Sequence, residues 1–332
     1  MSVAPSMSYI DKRFGGQEKC ETSPHSNRHM GGHADPSAQG VTGPQPRNET
    51  DPESAYLAIC VAAANEHRDI VDWVRYHNSQ GVGRVYIMDT GRPMIPELEE
   101  AGFLESGLVR HVWLNDLEGL REELIRTVNH TYSLKMRMLM AYALCVRDFA
   151  PKHEWMAFID ADEYITPMVP GQSLPDVLRE YEEAGALVVN WRLYGAGGHV
   201  ERPRAPVQDA YFGCYPQIEV ENKHIKTIVH SRYVVEPAGS HHHKYVEGKF
   251  AVNSAWERVD GPIANSTVYD TVVLRHYVTK SVEDYTRKVA RGGGMGRFKT
   301  WPYFHHVQAR ANQDCRSPEA WPAPKWGGLW RR

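Results

Sequence analysis

Cysteine is scarce and scattered: the five residues, Cys20, Cys60, Cys145, Cys214 and Cys315, form no C-x-x-C pair. This spacing argues against a zinc ribbon and leaves Cys60 and Cys145, each inside an apolar segment, as expected plain core residues. A Cys214–Cys315 disulfide stays open on sequence grounds. Long apolar runs are missing as well. No stretch approaches the roughly 18 to 20 consecutive apolar residues that span a bilayer, and the first residues show neither the basic nor the apolar region of a signal peptide. Charge of one sign is not in excess. A formal net charge of −3 offers no broad electropositive field, which disfavours a nucleic-acid partner. No internal repeat or coiled-coil pattern occurs.

What is present reads as one folded domain with a polar leader. Residues 1–54 are rich in Gly, Pro, Ser, His and Asn without apolar periodicity, so they cannot bury enough surface to offset ordering entropy and are expected to be disordered. The domain is expected over 55–300, with an extension over 301–332. "AYLAICVAAANE" gives a short apolar strand, Leu57 to Ala64, ending at Asn65 and Glu66. The next segment places Ile70, Val71, Val74 and His77 on one helical face and stops at Gly81. "RVYIMDTG" is a second buried strand ending in Asp89, and a short helix near Ile95–Ala101 precedes a third strand, "LVRHVWL". A helix over Thr131–Phe149 carries Leu134, Met138, Tyr142, Cys145 and Phe149 on one face, with Thr131 or Ser133 able to cap it. Then come the strand from Trp155, a helix in "SLPDVLREYEEAG", a fifth strand "ALVVNWRLYG", and later strands in "TIVHSRYVV" and "DTVVLRHYV". Strands alternating with helices point to an α/β fold with a mostly parallel central sheet.

The stretch "WMAFIDADEYI" ends a run of apolar residues in Asp160, Asp162 and Glu163. Packing does not require carboxylates there, and three so close repel one another unless something positive stands between them. In open α/β sheets, ligands gather at the carboxyl ends of strands. Asn65, Glu66, Asp89, Asp160 and Asp162 all stand at predicted strand ends. Their convergence would make an oxygen-rich crevice suited to magnesium or manganese bridged to phosphate. A solvated strand-end turn is the plainer reading of any one of them.

"LAICVAAANEHRDIVDWVRYHNSQGVGRVYIMDTG", "WMAFIDADEYI", "NWRLYGAGGH", "NKHIKTIVHSRYVV" and "LRHYVTKSVEDYTRKVARGGG", in this order, resemble glycosyltransferase family 92 and the family-2-like glycosyltransferases. The resemblance covers roughly residues 55–300. It implies a GT-A fold, a UDP-sugar donor with galactosyl transfer as the best-known case, a glycan acceptor, and inversion at the anomeric carbon. It also implies that Asp160 and Asp162 bind metal (Mn2+ or Mg2+) and donor, and that Glu66 and Asp89, with neighbouring Asn65, contact the nucleoside. The resemblance further implies a Golgi-type, membrane-anchored form, from which this sequence is expected to depart because no transmembrane helix is read before the domain.

Inversion needs a general base, for which Glu201 and Asp209 after the fifth strand are the candidates. A late histidine often completes the metal site in such enzymes; His243 in "SHHHKY" is preferred over His276. Arg287 and Arg291, four apart in "SVEDYTRKVARGGG", either neutralise the donor diphosphate or form a solvated basic face. The glycines from Gly292 to Gly296 read as a lid hinge. The sequons at Asn48, Asn129 and Asn265 bear on the chain only if it is secretory. Two rivals are weighed. A haloacid-dehalogenase-like phosphatase also ends a buried strand in D-x-D, but it wants Thr or Val where Tyr164 stands. A non-catalytic glycan-binding relative would keep the fold without turnover.

Overall fold

The computed structural model describes residues 54–128, 136–292 and 299–316. The expected disordered leader, the sequons at Asn48 and Asn129, the caps Thr131 and Ser133 and most of the glycine hinge lie outside the described residues. The first half of the domain runs β1 (Leu57–Ala63), α1 (Ile70–Ser79), β2 (Arg84–Asp89), α2 (Ile95–Glu100), β3 (Val109–Trp113), α3 (Leu117–Val128), α4 (Arg137–Leu144), β4 (Trp155–Ile159), β5 (Glu163–Pro167), α5 (Leu174–Leu178) and β6 (Ala186–Leu193). The second half runs α6 (Val207–Ala210), β7 (Gly213–Cys214), β8 (Ile225–His230), β9 (Val234–Pro237), β10 (His243–Tyr245), β11 (Ala251–Val252), β12 (Arg258–Val259), β13 (Val272–His276), α7 (Val282–Arg291), α8 (Trp301–Arg310) and β14 (Gln313–Asp314).

A ten-stranded sheet of order β12-β11-β6-β8-β4-β1-β2-β3, with β13 joining β6 to β5, forms the middle layer. β1 lies parallel to both β2 and β4, and β3 is parallel to β2. Alternate residues of β1 feed two cores, as the two-residue strand period demands. Leu57, Ile59 and Val61 join one with α1, α2 and α5; Ala58 and Cys60 join the other with α3 and α4. Burial on both faces is why this strand reads as a continuous apolar run.

The sheet is mixed: β8 enters antiparallel between β4 and β6. The reason is topological. Between β6 and β8 the chain makes only short pieces, the longest helix being the four-residue α6, so no crossover returns it to the opposite edge and β8 runs back. Other boundaries shift too. The expected long helix is α4 followed by a π-helical turn at Cys145–Phe149. The helix after β5 shortens to α5, held by a capping box between Ser173 and Asp176. "TIVHSRYVV" splits into β8 and β9, and α3 forms where no helix was expected.

Cys60 and Cys145 are not separate core residues; they form a disulfide, because β1 and the π-turn pack against each other with their Cα atoms 6.3 Å apart. A second disulfide, Cys214–Cys315, joins β7 to the residue after β14. No helix among the described residues is long and apolar enough to cross a membrane.

Candidate active site

β1, β2 and β4 end at one edge of the sheet, with Ala63 opposite Asp89 and Val61 opposite Ile159. Beyond β1 the chain turns sharply through Asn65, whose φ of 58° is left-handed, a conformation that asparagine tolerates. The Asn65 side-chain oxygen accepts the Arg92 N–H at 3.0 Å, which fixes the turn. Beyond β4 the chain reverses through Asp160–Asp162, and Glu163 already begins β5. The Glu163 carboxylate accepts the Asp160 N–H at 2.8 Å and ties the turn shut.

Cations answer the three carboxylates. Lys226, 1% exposed on β8, reaches Asp160 at 3.1 Å and Glu163 at 3.6 Å, and donates to the Ser240 carbonyl at 3.0 Å. Burial would lower its ammonium pKa, but Asp160 and Glu163 outweigh burial and push it up. Asp162 is held by Lys288 of α7, and His276 Nε2 lies 3.6 Å from its other oxygen. Burial raises Asp162, yet Lys288 and His276 together hold the carboxyl well below its usual range. Glu163 is the exception. Its complete burial outweighs Lys226 and pushes it well above the ordinary carboxylate value.

α7 lies across this edge and brings Arg291 onto Glu66 and the Ala64 carbonyl. Between α7 and the strand ends opens a cleft of about 530 Å³, lined by Asn65, Glu66, Asp162, Lys288 and Arg291 among others. Six basic side chains (Arg68, Arg202, Lys280, Arg287, Lys288, Arg291) face it against four acidic ones (Glu66, Asp69, Asp162, Asp284). The surplus is positive and suits an anion such as a diphosphate. At one wall Asp69, 4% exposed, takes both Lys280 and Arg202. Burial pushes Asp69 up, but Lys280 and Arg202 more than offset it, and the carboxyl falls to about 2.

The structure brings Asn65, Glu66, Asp162, Arg287 and Arg291 to this cleft, with Asp160 beside Asp162 in the same turn. Arg287 stands at its outer rim, half-exposed and paired with Glu283 one turn away. Asp89 is fully buried and both its oxygens are engaged, one by the Gly91 N–H at 2.8 Å and one by His111 Nε2 at 3.0 Å. It therefore shapes the strand end and orients His111, rather than presenting a free acceptor. His243 lies away from the carboxylate turn: its Nδ1 shares a hydrogen bond with Thr227 at 2.8 Å and its ring packs on Phe158. His276 is the histidine next to Asp162. Glu201 and Asp209 are exposed and do not line the cleft. Among the described residues, no three His, Cys, Asp or Glu side chains are already gathered to hold a metal ion.

Lys226 and the Asp69–Lys280–Arg202 cluster escaped the sequence reading. A lysine inside the apolar run "HIKTIVH" was the one available signal, since a buried lysine is rare unless paired. Lys280, Arg202 and Asp69 are far apart in sequence and carried none.

Comparison with known proteins follows the same outline. The sequence model described as Glycosyltransferase family 92 matches residues 55–310. A glycosyltransferase family 92 protein of Oryza sativa subsp. japonica is 26% identical over 159 residues, 47% of this chain and 24% of that protein. One of Ricinus communis is 28% identical over 189 residues, 54% of this chain and 30% of its own length. The match thus spans about a quarter to a third of these relatives. A crystal structure of S. aureus TarS residues 1–349 overlaps 53% of this chain and 47% of that one at 12% identity, with a TM-score of 0.29.

Proposed function

The chain belongs to glycosyltransferase family 92, and from that premise we propose that it transfers a hexosyl group, galactosyl in the first instance, from a UDP-sugar to a glycan acceptor with inversion, on a GT-A fold. The observation that carries the reading is the cleft itself. Carboxylates from the ends of β1 and β4 face cations of α7 across a space of about 530 Å³, within the range of sites that enclose small ligands.

In donor type, though not in gathered position, the residues present suit a divalent cation. Asp160 and Asp162 offer hard oxygen donors, and His276 Nε2 adds an imidazole 3.6 Å from Asp162, a set that favours manganese or magnesium. Beside this set, buried Glu163 Oε1 and His276 Nδ1 lie 3.8 Å apart. Asp160, Asp162 and His276 would hold the ion, which when bound would offset charge on the departing diphosphate. The chain's own groups do the rest. Lys288 and Arg291, which line the cleft, would balance the charge of the phosphate oxygens. Glu66 and Asn65 face the nucleoside end, and Asp89 sets the backbone there through Gly91. Lys226 fixes Asp160 through their 3.1 Å contact. Glu201 and Asp209 serve as base if the segment after β6 folds over an acceptor. The two disulfides favour an oxidising compartment such as the Golgi lumen.

A screen of UDP-sugars for manganese-dependent hydrolysis and transfer tests the proposal. One donor should turn over, and Asp160→Asn and Asp162→Asn should each reduce turnover by at least about a hundredfold, the scale of losing one preorganised charge contact. If the folded protein binds no nucleotide sugar with or without manganese, the reading fails.

A further inference from the structure

α8 brings one more cation to the carboxylate turn. The Tyr285 hydroxyl of α7 donates to the Thr300 carbonyl at 2.9 Å, and the Tyr285 ring meets Trp301 at 5.4 Å and Phe304 at 5.0 Å. These contacts pin the start of α8 to α7, one turn of α7 before Lys288. Lys299, the neighbour of Thr300, is thereby held near Lys288, whose charge acts on it more strongly than those of Asp162, Asp160 and Glu163. Lys299 makes no ion pair or hydrogen bond among the described residues, and its ammonium lies 4.9 Å from the centre of the Tyr303 ring. We propose that Lys299 is a further donor-binding residue, holding the diphosphate from α8 while Lys288 and Arg291 hold it from α7.

Hydrogen-bond donors single this lysine out. An ammonium has three of them. Lys288 already uses one on Asp162 and one on the Val278 carbonyl at 2.9 Å. Arg291 is bound to Glu66 and the Ala64 carbonyl, and Lys226 to Asp160 and the Ser240 carbonyl. Lys299 keeps all its donors, although its side chain is only partly exposed. A cation–π contact contributes too little to replace an ion pair for an ammonium removed from water. Burial and neighbouring Lys288 push that ammonium down to about 8, against the pull of Asp162, Asp160 and Glu163. Two ammonium groups held near each other repel unless an anion stands between them. Phosphate oxygens suit the place, because lysine binds them as a compact point charge. Asp162 and Lys288 line the cleft and Lys299 does not. A diphosphate met by both lysines therefore lies at the edge of the cleft that faces α8.

That the anion is the diphosphate of a nucleotide sugar rests on the glycosyl-transfer reading, and the test separates the two. Calorimetry on the full chain would use two probes, pyrophosphate alone and UDP with manganese, on the parent, Lys299→Met and Lys299→Arg. Losing one charge-assisted contact should raise the Kd of Lys299→Met for both probes at least about tenfold. Lys299→Arg, which keeps the charge, should bind both nearly as the parent does. Without ligand, Lys299→Met should melt no lower than the parent, because it removes an ammonium that repels Lys288; a lysine with only a structural role would lower the melting temperature. Parental affinity for both probes in Lys299→Met would overturn the proposal. So would weaker binding accompanied by a lower melting temperature, or a parent that binds neither probe. A parent that binds pyrophosphate through Lys299 but does not bind UDP would sink the glycosyl-transfer reading and leave Lys299 as an anion-binding residue.

Discussion

At the scale of single residues, Lys226 decides whether the acidic turn can exist. Asp160 and Glu163 stand at the end of a buried strand, and Lys226 is the buried cation that reaches both. Removing one partner of a buried ion pair leaves an uncompensated charge, at a cost of about 3 to 5 kcal/mol. Lys226→Met should therefore destabilise the domain by about that amount in urea unfolding, although Met is an apolar residue of about the same size. Lys226→Arg, which keeps the charge, should recover part of it. A Met variant as stable as the parent would mean that the acidic turn needs no cation from β8.

Between elements, the junction of α1 and α7 is electrostatic. Asp69 precedes α1, Lys280 precedes α7, and Arg202 bridges Asp69 to Asp284 in the first turn of α7. Asp69 titrates at about 2 in the folded chain against an ordinary 3.8. Its folded pKa is depressed, so its contribution is present in full above the unfolded value. It is lost as pH falls from about 5 to about 2, and amounts to roughly 2 kcal/mol. Asp69→Asn should flatten that part of the acid-unfolding curve measured by circular dichroism. A variant that keeps the parent's slope between pH 5 and 2 would show that other carboxylates carry the acid sensitivity. Because α7 also supplies Lys288 and Arg291, the Asn variant should weaken UDP binding. The α1–β1 junction was legible in sequence from the Asn65–Glu66 strand end. The α7 partner was not, since Asp69 and Lys280 are separated by more than two hundred residues and sequence spacing carries no signal across such a loop.

For the whole molecule, the Cys60–Cys145 disulfide ties β1, at the centre of the sheet, to the π-turn after α4 across 85 residues. Closing a loop of that length restricts the unfolded chain by about 4 to 5 kcal/mol in the chain-entropy account. Replacing both cysteines by Ala should lower unfolding free energy by about 2 to 4 kcal/mol, the usual measured range. The double variant should keep the fold, because both sites lie in a continuous apolar core. Equal stability in reducing and oxidising buffer for the parent would show that the bond is not formed in solution. Activity should survive, since neither cysteine borders the cleft.

The sequence by itself determined the alternation of strands and helices, the buried character of β1, β2 and β4, and the stop of each at a polar residue. Those features are local: apolar periodicity and strand ends are written in adjacent residues. It also determined which acids could matter, since an acidic turn after a buried strand stands out within four positions. The tertiary structure alone decided which of them meet. It turned β8 antiparallel and so delivered Lys226 to Asp160, and it brought His276 rather than His243 to Asp162. It closed Asp89 onto His111 and laid α7 over the strand ends. Each of these is a pairing between residues far apart in the chain, fixed by packing and by the cost of burying an unpaired charge, and no spacing along the sequence records it.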